Sequence, residues 1–428
     1  MKPASPKFDN YFFRLITVGL MILLVVMPFH GLISVFGGHI TGKMTLIQAW
    51  KEIIGLIIAG AYALLIIKKR SLIIKLDMVN IIAFLIIIFS LVVSLTNKVE
   101  TKSLLFGLKT NIEPLVLFLT AQIVSNHFNS KKLTYLLIVP AIAVSALGLV
   151  QAFIVPSSFL SNLGYSALTI NPLQLVDPAL KAIRIFSTLG GPNQLGAYLI
   201  LPTSLMLILS IKKRQYMFIL PFILGCAAIY LTYSRSAWIG FTASLFVILF
   251  LLLKSKARYI FLFTIFLVLA GTLVFIKTNT KPEIMNKIQY YLLHGRIFEN
   301  RIEGSDQNRF KALANGVKLA GQNPFGRGLG SAGPASFKAP QALITENWYL
   351  QIAIEVGIAG LVLFIGFFIL NLKELYLKFK NSQAPLFLAL FAGLIGLSIA
   401  NLFLHSWADS SLATIFYISL GLSRGFKK

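Results

Sequence analysis

Charge is what this sequence has least of. Only 12% of its 428 residues are charged, where a soluble domain carries roughly 25%. Acids are scarcer still, 14 against 39 lysines and arginines, for a formal net charge of +25. Cysteine is reduced to Cys226 alone, so no intramolecular disulfide can form. With 57% hydrophobic residues and a mean hydropathy of +0.81, the chain cannot be a soluble enzyme, a disordered tail or a fibrous protein. A basic balance could serve nucleic acid. Here, however, the lysines and arginines sit in short segments between apolar runs, where membrane topology places them, so no nucleic-acid partner is expected.

What the chain does have is a series of apolar runs long enough to cross a bilayer. Backbone in lipid must satisfy its own hydrogen bonds, so such runs predict helices rather than barrel strands. The expectation is an all-α integral membrane protein with about 12 transmembrane helices, a single polytopic domain over 1–428. Spans are placed near 12–29, 46–67, 78–95, 112–128, 133–155, 194–211, 216–233, 236–253, 259–276, 349–371, 385–404 and 411–423. The first run is too long, and too poor in small residues at its end, for a cleaved leader. Clusters such as Lys68-Lys69-Arg70, Lys131-Lys132, Lys212-Lys213-Arg214 and Arg424/Lys427/Lys428 all fall on one side, which predicts cytoplasmic termini. Trp50, Trp238, Trp348 and Trp407 then fall at the outer boundary, where indole prefers the headgroup level.

Two outer loops, 156–193 and 277–348, are long enough to carry function or structure of their own. The second predicts an amphipathic helix with Asp306 as N-cap, Phe310, Leu313, Val317 and Ala320 on one face, and a stop at Asn323-Pro324. Its GRGLGSAG segment has a GxGxxG spacing but follows no strand, so it predicts a flexible turn rather than a dinucleotide loop. Outer segments usually avoid arginine, yet Arg184, Arg235, Arg296, Arg301, Arg309 and Arg327 all lie there. Guanidinium is the side chain best shaped to grip phosphate oxygens, so the cluster points to an anionic, membrane-borne substrate such as a lipid diphosphate. Arg296, Arg301 and Arg327 suit headgroup contacts, whereas Arg235, wedged between two spans, is costly there without a partner or a wet cavity. Glu52 and Glu113 sit about one turn into their spans, within reach of Lys51 or an outer arginine. Glu346 precedes a span, where a carboxylate also suits the helix dipole, and Glu355 lies roughly two turns deeper.

Four stretches in order carry a resemblance: AIRIFSTLGGPNQLGAYL, LTYSRSAWIG, NRFKALANGVKLAGQNPFGRGLGSAG and ENWYLQIAIEVGIAGLVLF. Together they resemble the O-antigen ligase and polymerase family of membrane glycosyltransferases. The resemblance implies a GT-C-like fold in the bacterial cytoplasmic membrane, with a large outer loop holding short helices between spans nine and ten. It implies transfer of a glycan from undecaprenyl diphosphate to an acceptor hydroxyl on the outer face, with inversion, no metal and no cofactor. Arg235 and Arg309, helped by Arg184, would hold the diphosphate, Glu346 would be the general base, and Asn193, Asn347 and Glu355 would support them. Ligases of the family carry a histidine where this chain has Glu346, which leans toward a polymerase acting on O-antigen or another cell-envelope polysaccharide. Expected partners are the lipid-linked donor, a glycan or glycolipid acceptor, the bilayer, and a chain-length regulator or other envelope-polysaccharide proteins. The alternatives are an O-antigen ligase acting on lipid A-core, and a secondary transporter or flippase of lipid-linked oligosaccharide, whose polar groups belong nearer the bilayer midplane.

Overall fold

The computed structural model describes residues 6–69, 74–176, 183–254, 256–260, 296–298, 301–303, 305–338 and 343–426. Long apolar runs set the helices and polar residues set their ends. We label the main helices α1 (Pro6–Val26), α2 (His30–Thr41), α3 (Trp50–Lys69), α4 (Met78–Thr96), α5 (Thr101–Ile123), α6 (Ser130–Phe153) and α7 (Pro192–Lys212). Then follow α8 (Ile219–Leu231), α9 (Arg235–Leu252), α10 (Ser305–Gln322), α11 (Trp348–Ser382), α12 (Pro385–Ala400) and α13 (Ser410–Gly425). Asp77, Asn129, Asn347 and Asp409 each accept a backbone N–H at an N-terminus, and Pro192 and Pro385 occupy first turns where no N–H is needed. A short antiparallel hairpin pairs Arg296–Phe298 with Arg301–Glu303.

Eight helices among the described residues are long and apolar enough to cross a membrane. Tyr216–Leu231 and Pro385–Ala400 are apolar but shorter, and α13 covers the last expected span. Every expected span on described residues is therefore helical, but not all have full crossing length. The ninth, near 259–276, lies outside the described residues from 261 on, as do Lys2, Arg70, Lys427 and Lys428 of the basic clusters. The first run also differs from expectation. Pro28 lacks the donor that would continue α1, so a tight turn over Met27–Phe29 intervenes before α2 carries the chain on to Thr41. Ile16, Leu20, Leu23 and Leu24 of α1 are buried in the main core, which makes this helix part of the bundle.

Because lipid tails are as apolar as leucine, contacts between such helices depend on close fit rather than on hydrophobic burial. Gly240 of α9 and Gly396 of α12 show this: a Cβ at Gly240 would stand 2.6 Å from the Gly396 carbonyl oxygen. Ser204 and Ser244 join α7 to α9 through a 2.8 Å hydroxyl pair. A buried aromatic cluster ties α11 to α13 and to the turn before it. Trp348 meets Phe364 edge-on at 5.4 Å, and Trp407 meets Phe416 at 5.1 Å. Trp348 and Trp407 are 1% and 2% exposed, so packing against protein replaces the headgroup anchoring expected of them.

The two ends of the bundle carry different charge. At the end with α4's start and α13's finish, Arg424 reaches Asp77 at 2.5 Å and Glu374 at 3.3 Å. Lys378 joins Glu374 at 3.5 Å and donates to the Ser423 and Arg424 carbonyls. The opposite end gathers Arg184, Arg235, Arg309 and Glu346.

Candidate functional site

Arg184 lies in a connecting segment that other elements hold in place. Phe186 and Ser187 donate their N–H groups to the Gln151 side chain of α6, and Thr188 donates its hydroxyl to the Pro28 carbonyl. The neighbouring Ile185 N–H bonds the Leu231 carbonyl, which lays this segment along the turn between α8 and α9. Arg184 Nε donates to the Thr232 carbonyl at 2.9 Å and its Nη2 to Asn193 Oδ1 at 2.8 Å, in the first turn of α7.

Arg235 is the first residue of α9, after a turn in which Tyr233 takes a φ of 49°. Arg309 comes from α10, far along the chain. Arg184, Arg235 and Arg309 line one cavity of about 210 Å³, together with Val176, Asn193, Tyr233 and Ser236. Burial, then the charges of Arg309 and Arg235, push the Arg184 pKa down to about 10. The group stays charged at neutral pH, and its lowered pKa reflects in part the mutual repulsion that an anion would relieve.

Helix α10 is seated by a small residue. Gly316 packs on Thr345 and Leu350, where a Cβ would come within 3.1 Å of the Leu350 side chain, and Ala320 meets Ala332, Ala353 and Ile354. The expected face is thus rotated: Val317 is 58% exposed and Gly316 takes the buried place, because closeness rather than apolarity decides this contact. Asp306 falls within the first turn rather than at the cap. The helix ends before Asn323-Pro324 as expected.

Seated this way, Arg309 meets Glu346, with Nε 3.8 Å from Oε2 and the side chains 36% and 31% exposed. Glu346 does not cap α11. Asn347 is the cap, accepting from Leu350 N–H at 3.0 Å and donating to the Leu402 carbonyl at 2.9 Å. Glu346 sits one residue earlier in the left-handed region, φ 53°, a conformation that costs a non-glycine residue on the order of 1–3 kcal/mol. Thr345 bridges over it, donating its hydroxyl to the Asn347 carbonyl at 2.8 Å. Strain of this kind persists only where surrounding bonds fix it.

Glu355 is fully buried and serves the scaffold beneath. Its carboxylate accepts from Asn111 at 2.7 Å and from the Gly330 N–H at 3.0 Å. The GRGLGSAG segment is therefore docked rather than flexible. It fits against a break in α11 at Gly357, where φ is 79°. The freed Ile354 and Glu355 carbonyls accept from Arg327 and Gly328 N–H groups at 2.8 Å each. Arg327's side chain is exposed; those of Arg296 and Arg301 lie outside the described residues.

Elsewhere the ion pairs differ from expectation. Glu52 pairs with Lys109, while Lys51 reaches across to the Ser410 hydroxyl at 2.6 Å. Glu113 packs against Gly55. Among the described residues, no group of three histidines, cysteines or acids could hold a metal ion. One residue here drew no notice in the sequence. His405, in the turn before α13, places Nε2 3.0 Å from the Thr345 hydroxyl. It lines a second, larger cavity of about 550 Å³ that shares Arg184 and Asn193 with the arginine pocket. A lone histidine in a loop carries no motif, and its partner is sixty residues away.

Residues 220–365 match the family model described as O-antigen ligase. No curated protein matches the chain. The matched stretch, consistent with the O-antigen ligase and polymerase family, contains Arg235, Arg309, Glu346 and Glu355. Arg184 and Asn193 precede it.

Proposed function

We propose that this membrane protein, with an O-antigen ligase family match over residues 220–365, transfers a glycan from undecaprenyl diphosphate to an acceptor hydroxyl. The observation that carries the reading is the convergence of Arg184, Arg235 and Arg309 on one small cavity. They come from three separate segments, and the described lining contains no carboxylate. Such a pocket offers donors and positive charge where a departing diphosphate gathers negative charge. Arginines fixed beforehand stabilise that charge with no reorganisation during the reaction and need no metal to do so. Arg184 is held through Thr232 and Asn193, and Arg309 is tethered to Glu346.

Glu346 is the base in this reading. An ionised carboxylate beside the pocket accepts the acceptor hydroxyl's proton as its oxygen attacks the anomeric carbon, and the glycosidic oxygen leaves with the diphosphate. A single displacement inverts that centre. Asn347 fixes the helix start beside Glu346, Asn193 orients Arg184, and Glu355 holds the loop below. The basic clusters support a cytoplasmic position for the lysine-rich end and both termini, and with it an outer-face position for the arginine pocket. Glu346, where ligases carry histidine, favours a polymerase-type enzyme; a ligase remains the second reading, since the matched family is named for that activity. The test is binding of undecaprenyl diphosphate to purified protein in nanodiscs. Arg309→Ala and Arg235→Ala should each weaken it at least ~10-fold, the scale of one lost charge-assisted contact. Undiminished binding by both variants would remove the pocket from the mechanism.

A further inference from the structure

The larger cavity beside the arginine pocket has a more mixed lining. The arginine pocket offers chiefly donors and positive charge. The neighbouring cavity, about 550 Å³, lies in the usual range of small-ligand sites, ~300–1,000 Å³. Besides Arg184 and Lys109, its wall holds amides (Gln174, Gln194), a carboxylate (Asp409), an aromatic ring (Phe106) and His405. Asp409 and the amides accept as well as donate or complement donors, which is what a neutral polyhydroxylated ligand requires. The two hollows meet at Arg184 and Asn193, whose side chains are bonded to each other at 2.8 Å.

His405 sharpens this. It is 9% exposed, and burial pushes its pKa down to about 4, so the ring is neutral at physiological pH. Thr345 has one hydroxyl proton, and that proton goes to the Asn347 carbonyl. The 3.0 Å contact between Thr345 and His405 therefore needs the proton on His405 Nε2, which leaves Nδ1 as a bare acceptor. No described residue bonds Nδ1. Ser406, next on the same wall, has a buried hydroxyl with no partner among the described residues. Buried polar groups without partners are uncommon and call for an explanation such as a ligand or water.

We propose that this chamber holds a saccharide, with His405 Nδ1 accepting a hydrogen bond from a sugar hydroxyl. The assignment rests on the transferase reading: the sugar in the chamber lies beside the diphosphate held by the arginines. It adds a second ligand site, for a neutral glycan, to the anion pocket.

Gly191 gives a clean test. It lines the chamber in extended backbone, φ −177°, and a Cβ there would meet nothing within 4 Å. Gly191→Phe therefore fills the chamber rather than the core. The probes are undecaprenyl diphosphate carrying the host's own oligosaccharide, the bare lipid diphosphate, and the released oligosaccharide, each bound to full-length protein in nanodiscs. Attached sugar should tighten binding at least ~10-fold over the bare lipid, and Gly191→Phe should erase that increment while leaving bare-lipid binding intact. His405→Gln, which can keep a donor toward Thr345 but loses the Nδ1 acceptor, should cut the increment; His405→Asn, with an oxygen near the Nδ1 position, should retain more of it. Released oligosaccharide that binds beside saturating bare lipid would identify an acceptor sugar, and a need for the covalent link would identify the donor's. An increment that survives in both Gly191→Phe and His405→Gln would overturn the assignment. Bare lipid that fails to bind wild-type protein would instead overturn the arginine pocket, a separate result.

Discussion

The lysine-rich and arginine ends use the same side-chain types to different purposes. Arg424 is held by Asp77 and Glu374, and Lys378 caps the last carbonyls of α13. There, charge closes the structure: Arg424 and Lys378 answer anions and a helix terminus. At the arginine end, three guanidiniums share a cavity whose described lining holds no carboxylate, and one acid, Glu346, touches one of them from the rim. Burying a cation and then setting like charges beside it both cost stability, and both lower the Arg184 pKa. The contrast teaches that basic residues can fasten helices at one end and line a ligand-sized hollow at the other.

Substitutions sharpen that contrast, the strongest first. Glu346→Gln should lower glycan transfer by roughly 10²- to 10⁴-fold, the usual worth of a positioned base, with the melting temperature and bare-lipid binding nearly unchanged. Transfer kinetics beside a thermal melt would check this; a large fall in melting temperature would recast Glu346 as structural. Asp77→Ala at the other end should do the reverse. It removes an N-cap and one of two anions from Arg424, which is 10% exposed, a loss of about 2–3 kcal/mol. The melting temperature should fall while transfer per folded molecule holds.

The smallest effect concerns acid. His405 has a folded pKa of about 4 against an ordinary 6.5. Its contribution is therefore complete above pH 6.5 and is lost as pH falls toward 4, because the unfolded chain takes the proton first. The loss amounts to ~1–3 kcal/mol. Melts from pH 7.5 to 4.5 should steepen in the wild type and flatten in His405→Gln.

Much of this architecture was legible in the chain. Apolar runs pointed to the eight described helices long enough to cross a membrane, since lipid leaves the backbone few alternatives. Arginines against the topological trend marked Arg184, Arg235 and Arg309, which the fold brings to one cavity. What the pattern could not carry is what distant partners decide. Hydropathy favours Val317 over Gly316, yet close approach to Leu350 selects glycine. Indole preference puts Trp348 and Trp407 in the headgroups, yet neighbouring rings claim them. A glycine-rich run looks loose until its N–H groups find the carboxylate of Glu355. His405 has no local signature because its meaning lies in Thr345 and in the hollow they border.

The interruption at Gly357 has a bearing on durability. Above it, the short stub from Trp348 to Val356 carries Asn347 and Glu346 at its tip, and the glycine loop is clipped beneath it. Warming that unseats the clip frees the tip while the transbilayer core is still intact. Activity would then fade at a temperature where spectroscopy still reports a fully helical molecule.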